Sequence, residues 1–278
     1  MPITSDRSSS DGFSSEPASS AAPILQRHHH QGVTTLTMST PERFNALSEA
    51  MLEALYDALA DIANDSSVRC VVIAADGKAF CAGHDLKQMR ANPDKAYYQA
   101  LFTRCSDVMQ AIVHLPVPVI AKVQGIATAA GCQLVASCDL AVAARSARFA
   151  VSGINVGLFC STPAVALSRN VARKRAMEML LTGEFVSAEQ AAEWGLINRV
   201  AEDGALDEAL KELTASICAK SAVAVRTGKA MFARQLAMPL DEAYAFAGET
   251  MACNMLAEDV SEGIDAFIAK RPPHWNHR

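Results

Sequence analysis

From Val33 to Met38 the chain alternates apolar residues with threonines. That is the period of a half-buried strand and predicts an edge strand. From Asn45 to Ile62 the spacing lengthens: Leu47, Met51, Leu55, Leu59 and Ile62 fall on one side of a predicted helix. Cys70-Val71-Val72-Ile73-Ala74-Ala75 has no polar break, which predicts a strand buried on both faces. A loop over 76–85 follows. Pro93 to His114 predicts a long helix, with Asn92 as N-cap and proline at its first position. Pro116-Val117-Pro118 stops it. Strands are predicted over 119–123, 140–143 and 148–151. A small-residue loop over 125–130 leads into a helix that opens on GCQLVASCD. From Pro163 onward the pattern is helical, apart from a short strand at 197–200, with three or four helices at the end.

The unit of strand, loop and helix repeats over the first two-thirds, and the last third is helical. The pattern predicts an α/β fold with a helical C-terminal region. Folding is expected to start near Gly32. The expected division is a disordered segment over 1–31, an α/β core over 32–200 and a helical region over 201–278.

Half of the 278 residues are hydrophobic and a fifth are charged, as in a globular protein. The formal net charge of -5 argues against a nucleic-acid partner. No apolar run reaches the about 20 residues of a membrane span. None of the eight cysteines stands in a CxxC pair, so reduced thiols and no metal site are expected. The first 22 residues hold eight serines and are expected to be disordered. Arg7 stands there against Asp6, Asp11 and Glu16, unlike an Arg-rich transit peptide. The cytoplasm is therefore expected, with the mitochondrial matrix as the alternative. His28-His29-His30 is a metal candidate, but the plainer reading is a solvated polar tract.

Two loops follow apolar strands and open helices: Phe80-Cys81-Ala82-Gly83-His84-Asp85-Leu86-Lys87 and Ala127-Thr128-Ala129-Ala130-Gly131-Cys132-Gln133. Small residues let a ligand approach the backbone. Helix starts leave N–H donors unpaired. Two such donors on one carbonyl oxygen make an oxyanion hole. Taken alone, each loop is also a plain tight helix start.

The order of motifs narrows this. FCAGHDLKQM, PVPVIAKVQGIATAAGCQLVASCDLAVA, RFAVSGINVGL, EMLLTGEFVSAEQAAEWGLINRV and EGIDAFIAKRPPHW together resemble the crotonase, or enoyl-CoA hydratase/isomerase, superfamily, from about residue 32 to the C-terminus. Within it, AGHDL with ATAAGCQLVASCD looks most like the enoyl-CoA hydratase domain-containing protein 3 group. The resemblance implies a ClpP/crotonase-like spiral of ββα units with a C-terminal trimerisation region. It implies a trimer or a dimer of trimers, and an acyl-CoA thioester as substrate or ligand with no other cofactor. The family's oxyanion donors map onto the backbone N–H groups of His84 and Ala130. A backbone donor tolerates Ala130 where the family usually has glycine. Ala82, Asp85, Leu86, Lys87 and Gly131 map onto the substrate-binding loops, with Lys87 a candidate for CoA phosphate. Phe267 and Lys270 map onto positions that close over the CoA adenine and phosphate. Surface charge and helix packing are the plain alternatives for Lys87, Phe267 and Lys270.

Hydration of an enoyl thioester in this family uses two glutamates. Their positions hold Gln133 and Gly153 here. A neutral amide exchanges no proton near pH 7, although it can position water. Each acid-base group is worth about 10² to 10⁴-fold in rate, so ordinary hydration is expected to be weak or absent. His84 is the best replacement base on the ground of its pKa, against a plain structural or surface role. Asp85 and Asp139 are expected to satisfy local N–H groups or charges, Cys132 and Cys160 to be inert thiols, and Ser161 and Thr162 to cap a helix. The expected protein is an acyl-CoA-binding enoyl-CoA hydratase/isomerase-like lyase of fatty-acyl-CoA metabolism. Its alternatives are another thioester-enolate reaction, a non-catalytic acyl-CoA binder or regulator, and a bare scaffold with Phe159 or methionines filling the pocket.

Overall fold

The structure is a computed structural model and describes residues 23–278. The expected disorder of residues 1–22 lies outside those residues. Strands β1 (Leu25–His30) and β2 (Val33–Met38) form a hairpin, closed by Gln31 and Gly32, both at positive φ. A two-residue turn with this geometry matches the twist of the flanking strands. Residues 25–30, expected to be part of a disordered segment, are thus a strand paired to β2, and β1 is the edge strand, not β2. The three histidines belong to β1. His28 and His30 stack at 6.4 Å, while His29 meets Thr34 Oγ1 at 2.9 Å. Adjacent strand residues point to opposite faces, so the three imidazoles do not converge.

Helix α1 (Glu49–Ala63) follows. It starts four residues later than the apolar spacing predicts, because Ser48 caps it and accepts the Met51 N–H at 3.3 Å. Leu47 is buried instead through a bridge to His84. Next come β3 (Cys70–Ala75), β4 (Ala79–Cys81), α2 (Leu86–Ala91) and α3 (Lys95–His114). Asp94, not Asn92, caps α3, accepting the Tyr97 N–H at 3.0 Å; Asn92 ends α2. The chain continues through β5 (Val119–Val123), β6 (Ile126–Thr128), α4 (Ala130–Ser137), β7 (Leu140–Ala144), β8 (Arg148–Ala150) and α5 (Ser161–Leu167). Then come α6 (Arg173–Thr182), β9 (Val186–Ser187), α7 (Ala188–Glu193) and β10 (Arg199–Ala201). Helices α8 (Leu206–Cys218), α9 (Ala222–Gln235), α10 (Leu240–Asn254) and α11 (Glu258–Ile268) complete it.

Each unit sends one strand to a large sheet and the next to a small one. The large sheet runs β1-β2-β3-β5-β7-β10, parallel from β2 onward. The small sheet runs β4-β6-β8-β9. Short strands within the predicted loops 76–85 and 125–130 therefore form a second layer. The central strands of the large sheet are apolar on both faces because both are covered. Val71, Ile73, Val119, Ala121 and Ala143 pack with α1, α3 and α4. Their neighbours Cys70, Ile120, Val142 and Ala144 pack with Leu206, Leu210 and Leu213 of α8. Truncating one such buried leucine costs about 2 to 5 kcal/mol. Helix α9 is tied to this core by Lys229, whose Nζ donates to Ile112 O and Val117 O at 2.9 Å each.

Candidate functional site

Strands β4 and β6 are parallel neighbours, so the loops leaving their C-terminal ends lie side by side. Two glycines set how closely they approach. A Cβ built on Gly83 would stand 2.9 Å from Ala129 Cβ and 3.2 Å from Ala130 N. A Cβ on Gly131 would overlap the Cys81 carbonyl. The loop before α1 braces the first of them. Leu47 N donates to Gly83 O at 2.8 Å and Ala82 N to Phe44 O at 3.0 Å. Asn45, fully buried at φ 51°, donates through Nδ2 to Asp76 O at 2.8 Å and Ala79 O at 2.9 Å. Asparagine suits this place because its short amide tolerates the left-handed region.

Ala129 bends the second loop with φ 51° and ψ -120°. A non-glycine residue there stores about 1 to 3 kcal/mol of strain, which surrounding bonds must hold. Ala129 N donates to Ala150 O at 3.0 Å, and its carbonyl accepts Gln133 N at 3.1 Å. The turn leaves Ala130 as the first residue of α4. Among the described residues, neither the His84 N–H nor the Ala130 N–H meets a protein acceptor.

The His84 ring lies edge-on to Phe102 of α3, with centroids 5.5 Å apart. Its Nδ1 is 3.4 Å from Leu47 O, and its Nε2 is buried without a partner. Burial lowers its pKa, opposed by the Leu47 contact, so the ring is neutral at pH 7. It is a packed side chain, not a surface histidine. If the Leu47 contact fixes the tautomer, Nδ1 carries the proton and Nε2 presents a lone pair.

Gln133 is 5% exposed, and its Oε1 also lacks a partner. All eight residues of α4 are buried. Gly153 lies in a turn after β8, whose preceding residue Ser152 places its Oγ 2.7 Å from Thr128 Oγ1 at the end of β6. A Cβ on Gly153 would lie 2.6 Å from Leu158 O and 2.7 Å from Cys160 Sγ. Position 153 is therefore closed to a glutamate, not merely without one. Cys160 Sγ accepts the Gly153 N–H at 3.3 Å. Burial pushes the Cys132 thiol up to about 12 and raises Cys160 as well, so both are protonated at neutral pH.

Other predicted residues have structural partners. Asp85 caps α2, accepting Lys87 N at 2.9 Å and Gln88 N at 3.1 Å. Asp139 accepts Val119 N at 2.7 Å and Lys229 Nζ at 2.6 Å. Cys160 holds the N-cap position of α5 without a side-chain cap bond, so Ser161 and Thr162 are its first two helical residues and not its cap. Phe159 is 40% exposed rather than buried as a plug.

The structure brings Ala82, His84, Ala130 and Gly131 together, with Gln133 one turn along α4. Leu86 and Lys87 are exposed on α2. Phe267 and Lys270 are exposed at the end of α11, and Phe267 shares its groove with Val260 and Trp275 rather than with either loop. Sequence reasoning missed Gly83, Ala129 and Asn45 as the residues that shape the site. The glycine in AGHD was the available signal; nothing in the sequence marks an alanine at positive φ.

A spiral of ββα turns, whose second strands form a small sheet and whose following helices begin beside it, is the crotonase type of α/β fold. A model of the enoyl-CoA hydratase/isomerase family matches residues 28–278. The mitochondrial enoyl-CoA hydratase domain-containing protein 3 of Rattus norvegicus is 45% identical over 254 residues, 91% of this chain and 85% of that protein. The crystal structure of an enoyl-CoA hydratase from Mycobacterium smegmatis has a TM-score of 0.90 at 62% identity, covering 91% of this chain and 99% of that one. Human enoyl coenzyme A hydratase domain-containing protein 3 has a TM-score of 0.89 at 43% identity, covering 91% and 100%. The chain belongs to the enoyl-CoA hydratase/isomerase family.

Proposed function

We propose that this chain binds an acyl-CoA thioester and polarises its carbonyl between the backbone N–H groups of His84 and Ala130. The observation that carries the reading is their pairing: two unbonded donors on loops held together at Gly83 and Ala130. Neutral hydrogen-bond donors aimed at one oxygen stabilise an enolate as charge develops there. Ordinary hydration is disfavoured. Gln133 moves no proton, position 153 is closed, and the nearby thiols are protonated. The chemistry left to the site is a thioester-enolate reaction that draws its proton from another group, with His84 Nε2 the candidate base, or carbonyl binding without turnover.

Family membership supports a place in fatty-acyl-CoA metabolism and assembly as a homotrimer or a pair of trimers. The exposed apolar residues of the last helices, among them Leu236, Leu240, Met251 and Leu256, suit such a buried interface. The same assembly would bring Phe267 and Lys270 to a neighbouring subunit's ligand. The name of the rat relative favours the mitochondrial matrix over the cytoplasm as the place of action.

The test compares butyryl-CoA with S-butyl-CoA, a thioether without the carbonyl, by calorimetry on the wild-type protein. Two hydrogen bonds at about 1 kcal/mol each predict roughly 30-fold tighter binding of the thioester. Equal affinities would remove the oxyanion hole from the reading.

A further inference from the structure

The three consecutive histidines of β1 serve neither the core nor the paired loops. β1 is the edge of the large sheet, whereas those loops leave strands of the small one. Strand geometry divides the tract. Side chains two residues apart share a face, with Cα atoms about 6.6 Å apart, twice the rise of one residue. His28 and His30 therefore stand on one face, and their rings lie side by side, with centroids 6.4 Å apart and planes 19° from parallel. His29 points to the other face, where its Nδ1 is 2.9 Å from Thr34 Oγ1. Arg27 shares that face, its guanidinium 3.7 Å from Asp61 and 3.8 Å from Asp65. The strand's one guanidinium is thus turned away from the paired imidazoles. The backbone beneath them is fixed, because His28 pairs with Thr35 and His30 with Val33 of β2.

We infer that His28 and His30 form a two-imidazole chelate for a divalent transition-metal ion of the late first row. Neutral imidazole is the commonest protein ligand for such ions. A metal–nitrogen bond of about 2.0 to 2.1 Å puts two nitrogens at right angles on one ion about 3 Å apart. Leaning both rings inward reaches that spacing, and both side chains are exposed, so no packing opposes the rotation. The sheet fixes the two Cα positions in advance, which leaves only side-chain freedom to be lost on binding. Among the described residues no group of three or more His, Cys, Asp or Glu side chains is placed for a metal, so water fills the remaining positions. An open nitrogen site of this kind takes Cu²⁺ ahead of Ni²⁺ and Zn²⁺. It differs from a structural zinc site, which is closed by four protein ligands. Only the unprotonated rings ligate, so binding releases protons and weakens in acid.

The experiment titrates the full chain with nickel chloride by calorimetry at about pH 7.5. Nickel is the probe because Cu²⁺ also oxidises thiols, and the chain has eight cysteines. The wild type is compared with His28→Ala, His29→Ala and His30→Ala, with circular dichroism to show that each is folded. Loss of one ligand should weaken nickel binding at least about tenfold in His28→Ala and in His30→Ala. His29→Ala should bind within about twofold of the wild type, because its ring lies on the other face. A flexible histidine tract would instead lose affinity equally in all three variants, and that result overturns the inference. So does the absence of saturable nickel binding by the wild type, or binding that survives in His28→Ala and His30→Ala. If a variant does not fold, anomalous diffraction from a wild-type crystal soaked in nickel decides. A peak between the His28 and His30 rings supports the chelate, and nickel found only elsewhere overturns it.

Discussion

At the C-terminal end of α4, each carbonyl from 133 to 136 has a partner beyond or in place of the helix ladder. Ser137 Oγ donates to Gln133 O at 2.8 Å, Cys138 Sγ to Leu134 O at 3.3 Å, Cys138 N to Val135 O at 3.2 Å and Asn170 Nδ2 to Ala136 O at 2.8 Å. Asp139 then closes on Val119 N and Lys229. Towards the other end of the same eight-residue helix stand a strained alanine, an unbonded N–H and a glutamine whose Oε1 has no partner. Sequence composition does not explain the contrast, since both ends are built from small residues. The difference lies in the bonding. The bonds at the C-terminal end are completed within the chain, those at the N-terminal end are left open, and the strain at Ala129 is held by its bonds to Ala150 O and Gln133 N.

The contrast breaks most severely at Gly131. Gly131→Ala would drive a methyl group into the Cys81 carbonyl, which is backbone and cannot swing aside. The expected loss is about 4 kcal/mol, at the upper end for a single substitution. Urea unfolding measures it. A stable Gly131→Ala protein would show that the two loops are not packed as tightly as described.

The next effect lies at the finished end. Lys229→Met removes the cation from Asp139 and the donors from Ile112 O and Val117 O. Burial already pushes the Asp139 carboxyl up, against the attraction of Lys229. Removing one member of such a pair should cost about 3 kcal/mol. The double variant Lys229→Met, Asp139→Asn should regain part of it, because no uncompensated charge then remains. If the double variant is no better than the single, packing of the lysine stem carries the stability rather than the pair.

How much of this was legible in the sequence depends on what each residue faces. β3 and β5 were readable to the residue because they are apolar and buried on both faces, with the half-buried Lys122 the one polar position in either. β1 was missed because its side chains are nearly all exposed, so its existence depends on backbone pairing with β2. The three-residue strands β4 and β6 looked like loops, since they are too short to show a period. Leu47 was placed in a helix because burial gives the same apolar signal whichever element supplies it. The site's loops were legible from small residues and motif order. The positive φ of Ala129 and the collision that closes position 153 were not, because both arise from neighbours distant in the chain.

At the open end, Ala129→Gly should stabilise the protein by about 1 kcal/mol. Glycine relieves strain of about 1 to 3 kcal/mol and gives back about 0.5 to 1 kcal/mol in unfolded-chain entropy. The same change should weaken acyl-CoA binding, because the Ala130 N–H loses its fixed direction. A destabilised Ala129→Gly would mean that the alanine methyl group's contact on Gly83 outweighs the strain.

The smallest effect comes from His84, and its sign follows from burial. The folded state holds the ring neutral to a lower pH than the unfolded chain does, because burial depresses its pKa from the ordinary value of 6.5. Below pH 6.5 the unfolded state therefore binds more protons, and stability rises with pH in that range. The stabilising contribution is complete above pH 6.5 and is lost as the pH falls towards the folded pKa. One group contributes a slope of at most about 1.4 kcal/mol per pH unit. Subtracting the unfolding free energies of His84→Gln from those of the wild type, between about pH 7 and pH 5, isolates this residue. His277, whose pKa burial and Arg69 also lower, is common to both proteins and cancels. A falling difference as the pH drops confirms a buried neutral imidazole with an open Nε2. A flat difference would mean that water reaches the ring freely and that Nε2 is not an unpaired acceptor.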